Sequence, residues 1–142
     1  MDIRALLVIF GGTGDLAHRK LYPAVYNLYL SGLLPQEFAL VSVGRRDKTT
    51  SQFRIEAAES IKRYSRTKPR AKEELNEVVS RFYYYQTDFY KDQGYKELGE
   101  FLSQLDEKYG TGGNRIFYLA VAPDHFGPVV ERIDSAGLAP NK

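Results

Sequence analysis

The 142-residue chain is 43% hydrophobic, which is enough for one globular domain with a single core. Its 20 lysines and arginines exceed its 18 aspartates and glutamates by two, a surplus too small to attract a polyanion, so nucleic-acid binding is disfavoured. The chain contains no cysteine, which excludes disulfides, a thiolate nucleophile and cysteine-based metal sites and fits a cytoplasmic location.

Short apolar runs alternate with longer amphipathic stretches along the chain. The apolar runs predict four strands, at residues 5–10, 38–43, 81–86 and 115–121. The other stretches predict helices at about residues 15–33, 52–65, 71–80, 93–109 and 125–136, with Pro69 at a bend between the second and the third. This alternation predicts a Rossmann-like α/β fold, a doubly wound parallel sheet with helices on both faces, as one domain over residues 1–142.

The first predicted helix is apolar on nearly all of its faces. Two adjacent stripes follow helical spacing, namely Leu21, Val25 and Leu28, and Tyr22, Tyr26, Tyr29 and Leu33. A helix of this kind needs cover on two sides. The sheet supplies one side, and the other is covered either by a further helix of this domain or by a domain that is not part of this chain.

No membrane span and no secretory signal are predicted. The longest uncharged run, residues 21–36, is interrupted by two prolines and is shorter than the roughly 20 apolar residues that cross a bilayer. The first residues, MDIR, lack the charged and apolar regions of a signal peptide.

A glycine-rich turn, GGTG, lies directly between the first predicted strand and the first helix. At that place glycines permit a tight turn and the close approach of a dinucleotide's pyrophosphate, which the N–H groups of the helix N-terminus bind. Gly12, Gly14 and Ala17 match the spacing G-x-G-x-x-[GA], and Gly11, Gly14 and Ala17 match G-x-x-G-x-x-A. The turn is not a P-loop, because Lys20 follows the glycines too late. It therefore predicts a dinucleotide site in one of two registers.

The end of the second predicted strand indicates which dinucleotide binds. NAD-binding units carry an acidic residue there, which accepts a hydrogen bond from the ribose 2′-hydroxyl. Here Gly44 is followed by Arg45, Arg46 and Asp47, and guanidinium groups bind a 2′-phosphate bidentately and stack on adenine. NADP is therefore the predicted cofactor, with NAD as the alternative if Asp47 pairs with one of the arginines.

The end of the fourth predicted strand is expected to lie beside the nicotinamide, because open α/β sheets bind ligands outside the carboxyl ends of their strands. Pro123 restricts its own backbone and that of Ala122, so this loop is expected to be stiff.

The chain has two histidines, His18 and His125, and histidine is the most frequent catalytic base near neutral pH. His18 lies where the first helix begins, so we expect it to contact phosphate or solvent. His125 follows Asp124 and is interpreted as a helix-start residue beside a capping aspartate. The sequence therefore predicts no catalytic base.

Residues 11–23 read GGTGDLAHRKLYP, and residues 114–123 read NRIFYLAVAP. The first run closely resembles the N-terminal signature of glucose-6-phosphate dehydrogenases, a G-x-x-G-D-L-A stretch followed by lysine and proline. The second run is similar to that family's fourth-strand segment, and Arg45 after Gly44 suits its 2′-phosphate position. The resemblance extends through essentially the whole chain.

The resemblance implies an oxidoreductase of the pentose phosphate pathway that oxidises the C1 hydroxyl of β-D-glucose 6-phosphate to 6-phosphoglucono-δ-lactone, with hydride transfer to NADP. It implies that the cofactor's pyrophosphate loop is formed by Gly11, Gly12, Thr13, Gly14, Asp15, Leu16, Ala17 and His18. It also implies Arg45 and Arg46 at the 2′-phosphate, Tyr118 and Pro123 along the cofactor, and Lys20 facing the nicotinamide and the substrate.

Two signatures of the family are absent from the chain, R-I-D-H-Y-L-G-K-E, which carries the catalytic chemistry, and E-K-P-F-G. Residues 132–134 repeat the letters RID, but SAG follows, so we interpret the match as coincidental and expect no catalytic residue here. The chain is expected to bind cofactor without catalysing the reaction alone. A C-terminal domain absent from the chain would bind glucose 6-phosphate and form a homo-oligomer, and we expect neither nucleic-acid nor membrane partners.

Two alternatives stay open from the sequence. GGTG also begins atypical short-chain-type NAD(P)-dependent reductases, whose Tyr-x-x-x-Lys pair is matched in spacing by Tyr64 and Lys68. An NADP-sensing protein or a nucleic-acid binder would use the basic residues Lys62, Arg63, Arg66, Lys68, Arg70 and Lys72. The glutamates interspersed with these residues favour a solvated helical face instead.

Overall fold

The computed structural model describes residues 4–66 and 72–139, which form four strands, five α-helices and two short helical turns. The strands are β1 (Ala5–Phe10), β2 (Phe38–Gly44), β3 (Phe82–Gln86) and β4 (Arg115–Leu119). The α-helices are α1 (Tyr22–Leu30), α2 (Thr50–Tyr64), α3 (Lys72–Val79), α4 (Asp92–Tyr109) and α5 (Phe126–Ser135). A π-helical turn (Ala17–Leu21) precedes α1, and a 3-10 turn (Pro123–His125) precedes α5.

The described strands form one parallel sheet in the order β3-β2-β1-β4. β1 lies between β2 and β4, with Ala5 opposite Phe38 and Leu6 opposite Arg115. After β3 the chain crosses to the opposite edge of the sheet, and such a change in winding direction creates a crevice at the carboxyl ends of the strands. The predicted doubly wound α/β fold is therefore confirmed.

Each face of the sheet is covered by its own hydrophobic core. On one face α1, α2 and α3 pack around an aromatic cluster that contains the fully buried side chains of Tyr22, Phe53 and Phe82. On the other face α4 and α5 pack against Phe10 and Tyr95, which are also fully buried. Both faces are covered, and accordingly β1 is a continuous apolar run and β2 is buried along its whole length, as expected of central parallel strands.

The helix predicted to be apolar all round is covered on part of its surface. Tyr22 and Tyr26 are fully buried between the sheet and α2, whereas Leu33 is 58% exposed and Leu28 is 36% exposed. The neighbouring strand β4 is open on the same face of the sheet, where Ile116 is 47% exposed. Within the described residues, α2 therefore supplies part of the predicted cover, and an apolar surface on α1 and β4 stays open.

The start of α2 is determined by a capping box and not by the apolar pattern of the helix. The helix begins at Thr50, two residues before its predicted start, because Thr49 and Gln52 form a reciprocal capping box. The Thr49 hydroxyl accepts from the Gln52 N–H at 3.1 Å, and the Gln52 carboxamide oxygen accepts from the Thr49 N–H at 2.8 Å.

Other boundaries differ from prediction by a few residues. α1 ends at Leu30, and β4 ends at Leu119, two residues before the end of the apolar run. The described part of the third helix, Lys72–Val79, agrees with its predicted span. The predicted bend at Pro69 and the predicted helix start at Ala71 lie outside the described residues.

Within residues 4–66 and 72–139, no helix is both long enough and apolar enough to span a bilayer. The same residues contain no cluster of three histidine or acidic side chains that is suited to a metal ion.

Candidate dinucleotide-binding groove

The glycine turn begins where β1 ends, in a backbone conformation that favours glycine. Gly11 has φ +87°, and its N–H donates to the Val43 carbonyl at 2.9 Å. A Cβ at Gly11 would lie 2.8 Å from the carbonyl oxygen of Ala120. The N–H of Gly14 closes the turn by donating to the Gly11 carbonyl at 3.0 Å. The turn therefore lies where the ends of β1, β2 and β4 meet, and a side chain at Gly11 would separate them.

The second glycine allows the turn to pack against β2 and the first helix. A Cβ at Gly12 would lie 1.9 Å from Ser42 Oγ and 2.6 Å from the Tyr22 hydroxyl. That hydroxyl donates to the Gly12 carbonyl at 2.5 Å, and burial raises the pKa of Tyr22 well above its usual value. Gly12 is therefore required by the close packing beneath the turn.

The geometry distinguishes the two glycine registers left open by the sequence. Gly11 makes the tight turn, Gly14 is exposed at the start of the helix, and Ala17 is fully buried between helix and sheet. These are the roles of the three small residues in a dinucleotide fingerprint. The register G-x-x-G-x-x-A fits them, and Gly12 is an additional packing position.

The helical segment after the turn has backbone donors available for an anion. The His18 N–H donates to the Gly14 carbonyl at 3.3 Å, so the first N–H groups after Gly14 have no acceptor within the helix. The Asp15 carboxylate pairs with Arg19 Nε at 2.8 Å, which compensates its charge at a helix end that attracts anions. The turn therefore offers the donors that a pyrophosphate needs.

These parts surround a groove of about 500 Å³ at the carboxyl ends of the strands, which we call the dinucleotide groove. It is lined by the glycine turn, by residues 44–46 after β2, by residues 120–122 and His125 after β4, and by Phe89. Its volume lies in the range of small-molecule sites. Its position is the crevice in which open α/β sheets bind ligands.

Arg45 and Arg46 form one wall of the dinucleotide groove. Their side chains are exposed, but their backbones are fixed to β3. The Tyr84 hydroxyl donates to the Arg46 carbonyl at 2.7 Å, and Gln86 Nε2 donates to the Arg45 carbonyl at 3.3 Å. In the described part of the chain neither guanidinium forms an ion pair, and Asp47 pairs with neither arginine. The wall therefore holds two cations that an anionic ligand can reach.

His18 and Lys20 lie outside the dinucleotide groove. The His18 ring turns toward α2, where Nδ1 lies 2.5 Å from Ser60 Oγ, and burial lowers its pKa. Lys20 lines a separate groove of about 480 Å³ between α1 and the end of α2, together with Arg19 and Arg66. We call this second depression the Lys20 groove. The structure thus brings the His18 backbone to the glycine turn, but neither of the two side chains to the groove.

Three further predicted residues, Leu16, Tyr118 and Pro123, do not line the dinucleotide groove. Leu16 is 46% exposed on the first helical turn, and Tyr118 is 39% exposed on the open face of β4. Pro123 is exposed and begins the 3-10 turn, while the preceding residue, Ala122, lines the groove. The described residues contain no cis peptide bond.

His125 lines the dinucleotide groove, whereas the sequence predicted a helix-start residue beside a capping aspartate. The 3-10 turn and α5 begin without a side-chain cap at their N-cap residues, so the expected role beside a capping aspartate is not observed. Instead His125 lines the groove, and its Nδ1 is hydrogen-bonded to the Tyr90 hydroxyl. Tyr90 lies 35 positions earlier in the chain, and no local pattern indicates such a contact.

Tyr64, half of the alternative Tyr-x-x-x-Lys pair, lies at the end of α2 and away from the dinucleotide groove. The centre of its ring lies 5.3 Å from the guanidinium carbon of Arg19 and 5.3 Å from that of Arg63. The other half of the pair, Lys68, lies outside the described residues.

The chain matches the model for "Glucose-6-phosphate dehydrogenase, NAD binding domain" over residues 8–142. It is 40% identical over 129 residues to glucose-6-phosphate 1-dehydrogenase of Chlamydia muridarum, covering 91% of this chain and 25% of the relative. It is 40% identical over 135 residues to the Bacillus subtilis protein of the same name, covering 95% of this chain and 26% of the relative. The chain therefore spans about a quarter of the length of these curated relatives.

Two solved structures resemble the fold closely. A glucose-6-phosphate dehydrogenase in complex with its substrate glucose-6-phosphate superposes with a TM-score of 0.83 at 25% identity, covering 95% of this chain and 28% of the solved one. Glucose-6-phosphate 1-dehydrogenase from Mycobacterium avium superposes with a TM-score of 0.79 at 30% identity, covering 94% of this chain and 27% of the solved one. Nearly the whole described architecture thus has a counterpart in both.

Proposed function

The chain belongs to the glucose-6-phosphate dehydrogenase family through that family's NAD-binding domain, and from this premise we propose that it binds NADP in the dinucleotide groove. One observation carries the proposal. The glycine turn after β1 and two guanidinium groups without an ion-pair partner among the described residues line the same groove. The turn suits a pyrophosphate, and the guanidinium groups suit a 2′-phosphate.

The preference for NADP over NAD follows from the end of β2. An NAD-selective site presents an acidic side chain there to accept from the ribose 2′-hydroxyl. Asp47 is exposed and does not line the groove, whereas Arg45 and Arg46 do. A 2′-phosphate would form charge-assisted hydrogen bonds with both guanidinium groups, which the 2′-hydroxyl of NAD cannot replace.

Within this proposal the residues of the turn have separate tasks. The N–H groups of residues 15–17, which have no acceptor within the helix, hold the pyrophosphate, and Gly11 and Gly12 shape the backbone that presents them. His18 anchors the first helix to α2 through Ser60. Tyr118 and Pro123 border the nicotinamide half of the cofactor.

For the longer protein we propose the family's reaction, oxidation of the C1 hydroxyl of glucose 6-phosphate to 6-phosphoglucono-δ-lactone with hydride transfer to NADP, in the cytoplasm. This chain would supply the cofactor site, and the remainder of the protein would supply the substrate site, the catalytic base and the contacts of a homo-oligomer. In this chain the His18 and His125 rings are hydrogen-bonded to Ser60 and Tyr90. We assign neither histidine as the base, and Lys20 is the residue we expect to contact substrate from this chain.

Calorimetric titration of the 142-residue chain with NADP, NAD and 2′,5′-ADP tests the cofactor proposal. We expect saturable binding of NADP and 2′,5′-ADP, and NAD affinity lower by about tenfold or more, the value of one charged hydrogen bond. With glucose 6-phosphate and NADP, the chain alone should form no NADPH. Absence of saturable binding of either dinucleotide would contradict the cofactor site, and equal affinities would contradict the selectivity.

A further inference from the structure

We infer that Tyr22 is a positioning residue for cofactor binding: its hydroxyl holds the peptide between Gly12 and Thr13 so that the Thr13 N–H faces the pyrophosphate. The inference rests on the proposed NADP site and adds to it a buried side chain that does not line the groove. It starts from one contact beneath the glycine turn, in which the Tyr22 hydroxyl donates to the Gly12 carbonyl at 2.5 Å.

This hydrogen bond determines which way the peptide faces. The peptide is trans, as are the other described peptides, and in a trans peptide the C=O and N–H groups point in opposite directions. Because the Gly12 carbonyl is directed at the buried phenol, the Thr13 N–H points away from the core. Thr13 itself lines the dinucleotide groove, so its N–H faces the space in which the cofactor would lie.

The Thr13 N–H is available to a ligand. It has no acceptor among the described residues, whereas the Gly14 N–H closes the turn. A backbone donor of this kind needs water or a ligand as its partner. A Cβ at Gly44 would lie 3.6 Å from the Thr13 methyl group, so Thr13 lies on the side of the turn that is nearer to Arg45 and Arg46. Its N–H therefore adds a donor on that side of the pyrophosphate to those of residues 15–17.

The phenol is held firmly and keeps the proton that it donates. The Tyr22 side chain is fully buried, and its ring meets the Phe53 ring edge to face with centroids 5.4 Å apart. The His18 ring also meets it edge to face, at 5.2 Å, and is hydrogen-bonded to Ser60 of α2. Burial raises the pKa of Tyr22 well above its usual value. The hydroxyl is therefore a fixed donor at neutral pH.

The turn needs such a donor because its second residue is a glycine. Close packing beneath the turn requires glycine at position 12, but glycine also permits backbone conformations that other residues avoid. If the peptide turned over, a carbonyl oxygen would replace the Thr13 N–H in the groove and would repel the pyrophosphate. The Tyr22 hydroxyl opposes this rotation, because the Gly12 carbonyl would lose its buried donor.

Ser42 provides a matched comparison for Tyr22. Its side chain is also fully buried beneath the turn, and its Oγ lies 3.4 Å from the Tyr22 hydroxyl. Ser42→Ala and Tyr22→Phe each remove one hydroxyl from the same place, but only Tyr22→Phe removes the donor to the Gly12 carbonyl. The two variants therefore separate orientation of the peptide from packing beneath the turn.

Calorimetric titration with NADP and with adenosine 2′-phosphate, which carries no pyrophosphate, tests the inference. Tyr22→Phe should bind NADP roughly tenfold more weakly, the lower end of the range for one charge-assisted hydrogen bond. It should bind adenosine 2′-phosphate within about twofold of the unmodified chain, and Ser42→Ala should bind both ligands within about twofold. An equal loss of NADP affinity in the two variants would overturn the inference and assign the effect to packing.

The amide proton of Thr13 gives a readout that a general loss of stability does not move. In NMR spectra of the unmodified chain, NADP should shift this proton downfield, because the amide then donates to a charged oxygen. Adenosine 2′-phosphate should shift it less, and at saturation with NADP the shift should be smaller in Tyr22→Phe.

The outcomes distinguish this inference from the proposed function. If the unmodified chain does not bind NADP, the proposed NADP site is wrong. If it binds NADP without a downfield shift of the Thr13 amide, or if Tyr22→Phe binds NADP as tightly as the unmodified chain, the positioning role alone is overturned. Should Tyr22→Phe not fold, the Thr13 shift in the unmodified chain decides.

Discussion

The dinucleotide groove and the Lys20 groove have nearly the same volume, about 500 and 480 Å³, but they are built differently. The first lies at the ends of three strands, on a turn in which Gly11 and Gly12 leave no room for a Cβ. The second lies on helix surfaces, where Arg19 is already paired with Asp15 and packed near the Tyr64 ring. Volume therefore does not distinguish the two grooves, whereas the constrained backbone of the glycine turn and the exposed Arg45 and Arg46 do.

Substitution of Gly12 should have the largest effect on the stability of the dinucleotide groove and on its binding of NADP. Gly12→Val would place side-chain atoms on Ser42 and the Tyr22 hydroxyl, and overpacking of this kind costs about 3 kcal/mol or more of the free energy of unfolding. We expect urea unfolding to show this loss and calorimetry to show no NADP binding. Gly127→Ala is the control, because a Cβ there meets nothing within 4 Å, and its stability should change by less than about 1 kcal/mol. Native stability in Gly12→Val would contradict the packing argument.

Removal of the arginines at the end of β2 should have the next largest effect. Loss of a charged hydrogen bond costs about 1.5–3 kcal/mol, so the double variant of Arg45→Ala and Arg46→Ala should bind NADP roughly 10- to 150-fold more weakly. Its NAD affinity should fall by a smaller factor, since NAD carries no 2′-phosphate and loses only the stacking of the guanidinium groups on adenine. Arg66→Ala, which removes a cation from the Lys20 groove, is the matched control for calorimetry. An equal loss of NADP affinity in Arg66→Ala would mean that net charge, and not the wall, attracts the ligand.

A smaller effect is expected from the phenol beneath the glycine turn. Burial raises the pKa of Tyr22, so above pH about 10 the unfolded chain loses this proton while the folded chain keeps it. The free energy of unfolding should therefore fall with rising pH, by up to about 1.4 kcal/mol per pH unit for this residue. The free energy of unfolding of Tyr22→Phe should decline less steeply with pH. At every pH this variant also lacks the hydrogen bond to Gly12, which is worth about 1 kcal/mol.

Denaturant unfolding of both chains between pH of about 8 and 11 measures this difference. A residual decline is expected in Tyr22→Phe, because burial also raises the pKa of Tyr95, to about 12. Parallel pH profiles for the two chains would show that Tyr22 does not keep its proton in the folded state.

The local parts of the fold and the site are predictable from the sequence. The bounds of β1 agree with its apolar run, because the run is continuous and the next residue is a glycine that turns the chain. Glycine spacing and the Arg45-Arg46 pair are also local information, and the structure brings both to one groove. The capping box of Thr49 and Gln52 was an available local signal that the apolar pattern alone does not use.

The remaining parts depend on contacts between distant segments. His18 meets Ser60 across 42 positions, and His125 meets Tyr90 across 35. A side chain at the start of a helix has the same local pattern whether it faces a ligand or a neighbouring helix, so the sequence does not distinguish these directions. The same reason applies to Lys20, which the family resemblance places at the nicotinamide and the substrate although its side chain lines the other groove.

The smallest expected effect is the one that tests the separation of the grooves most directly. Lys20 follows the glycine turn by a few residues but lines the other groove with Arg66, so Lys20→Ala should change the NADP affinity of this chain by less than about twofold, the value of an exposed charge. Arg45→Ala, measured in the same titrations and at the same ionic strength, supplies the effect of a cation inside the dinucleotide groove. A loss in Lys20→Ala as large as that in Arg45→Ala would mean that the lysine reaches the bound dinucleotide, and the two grooves would then act as one site.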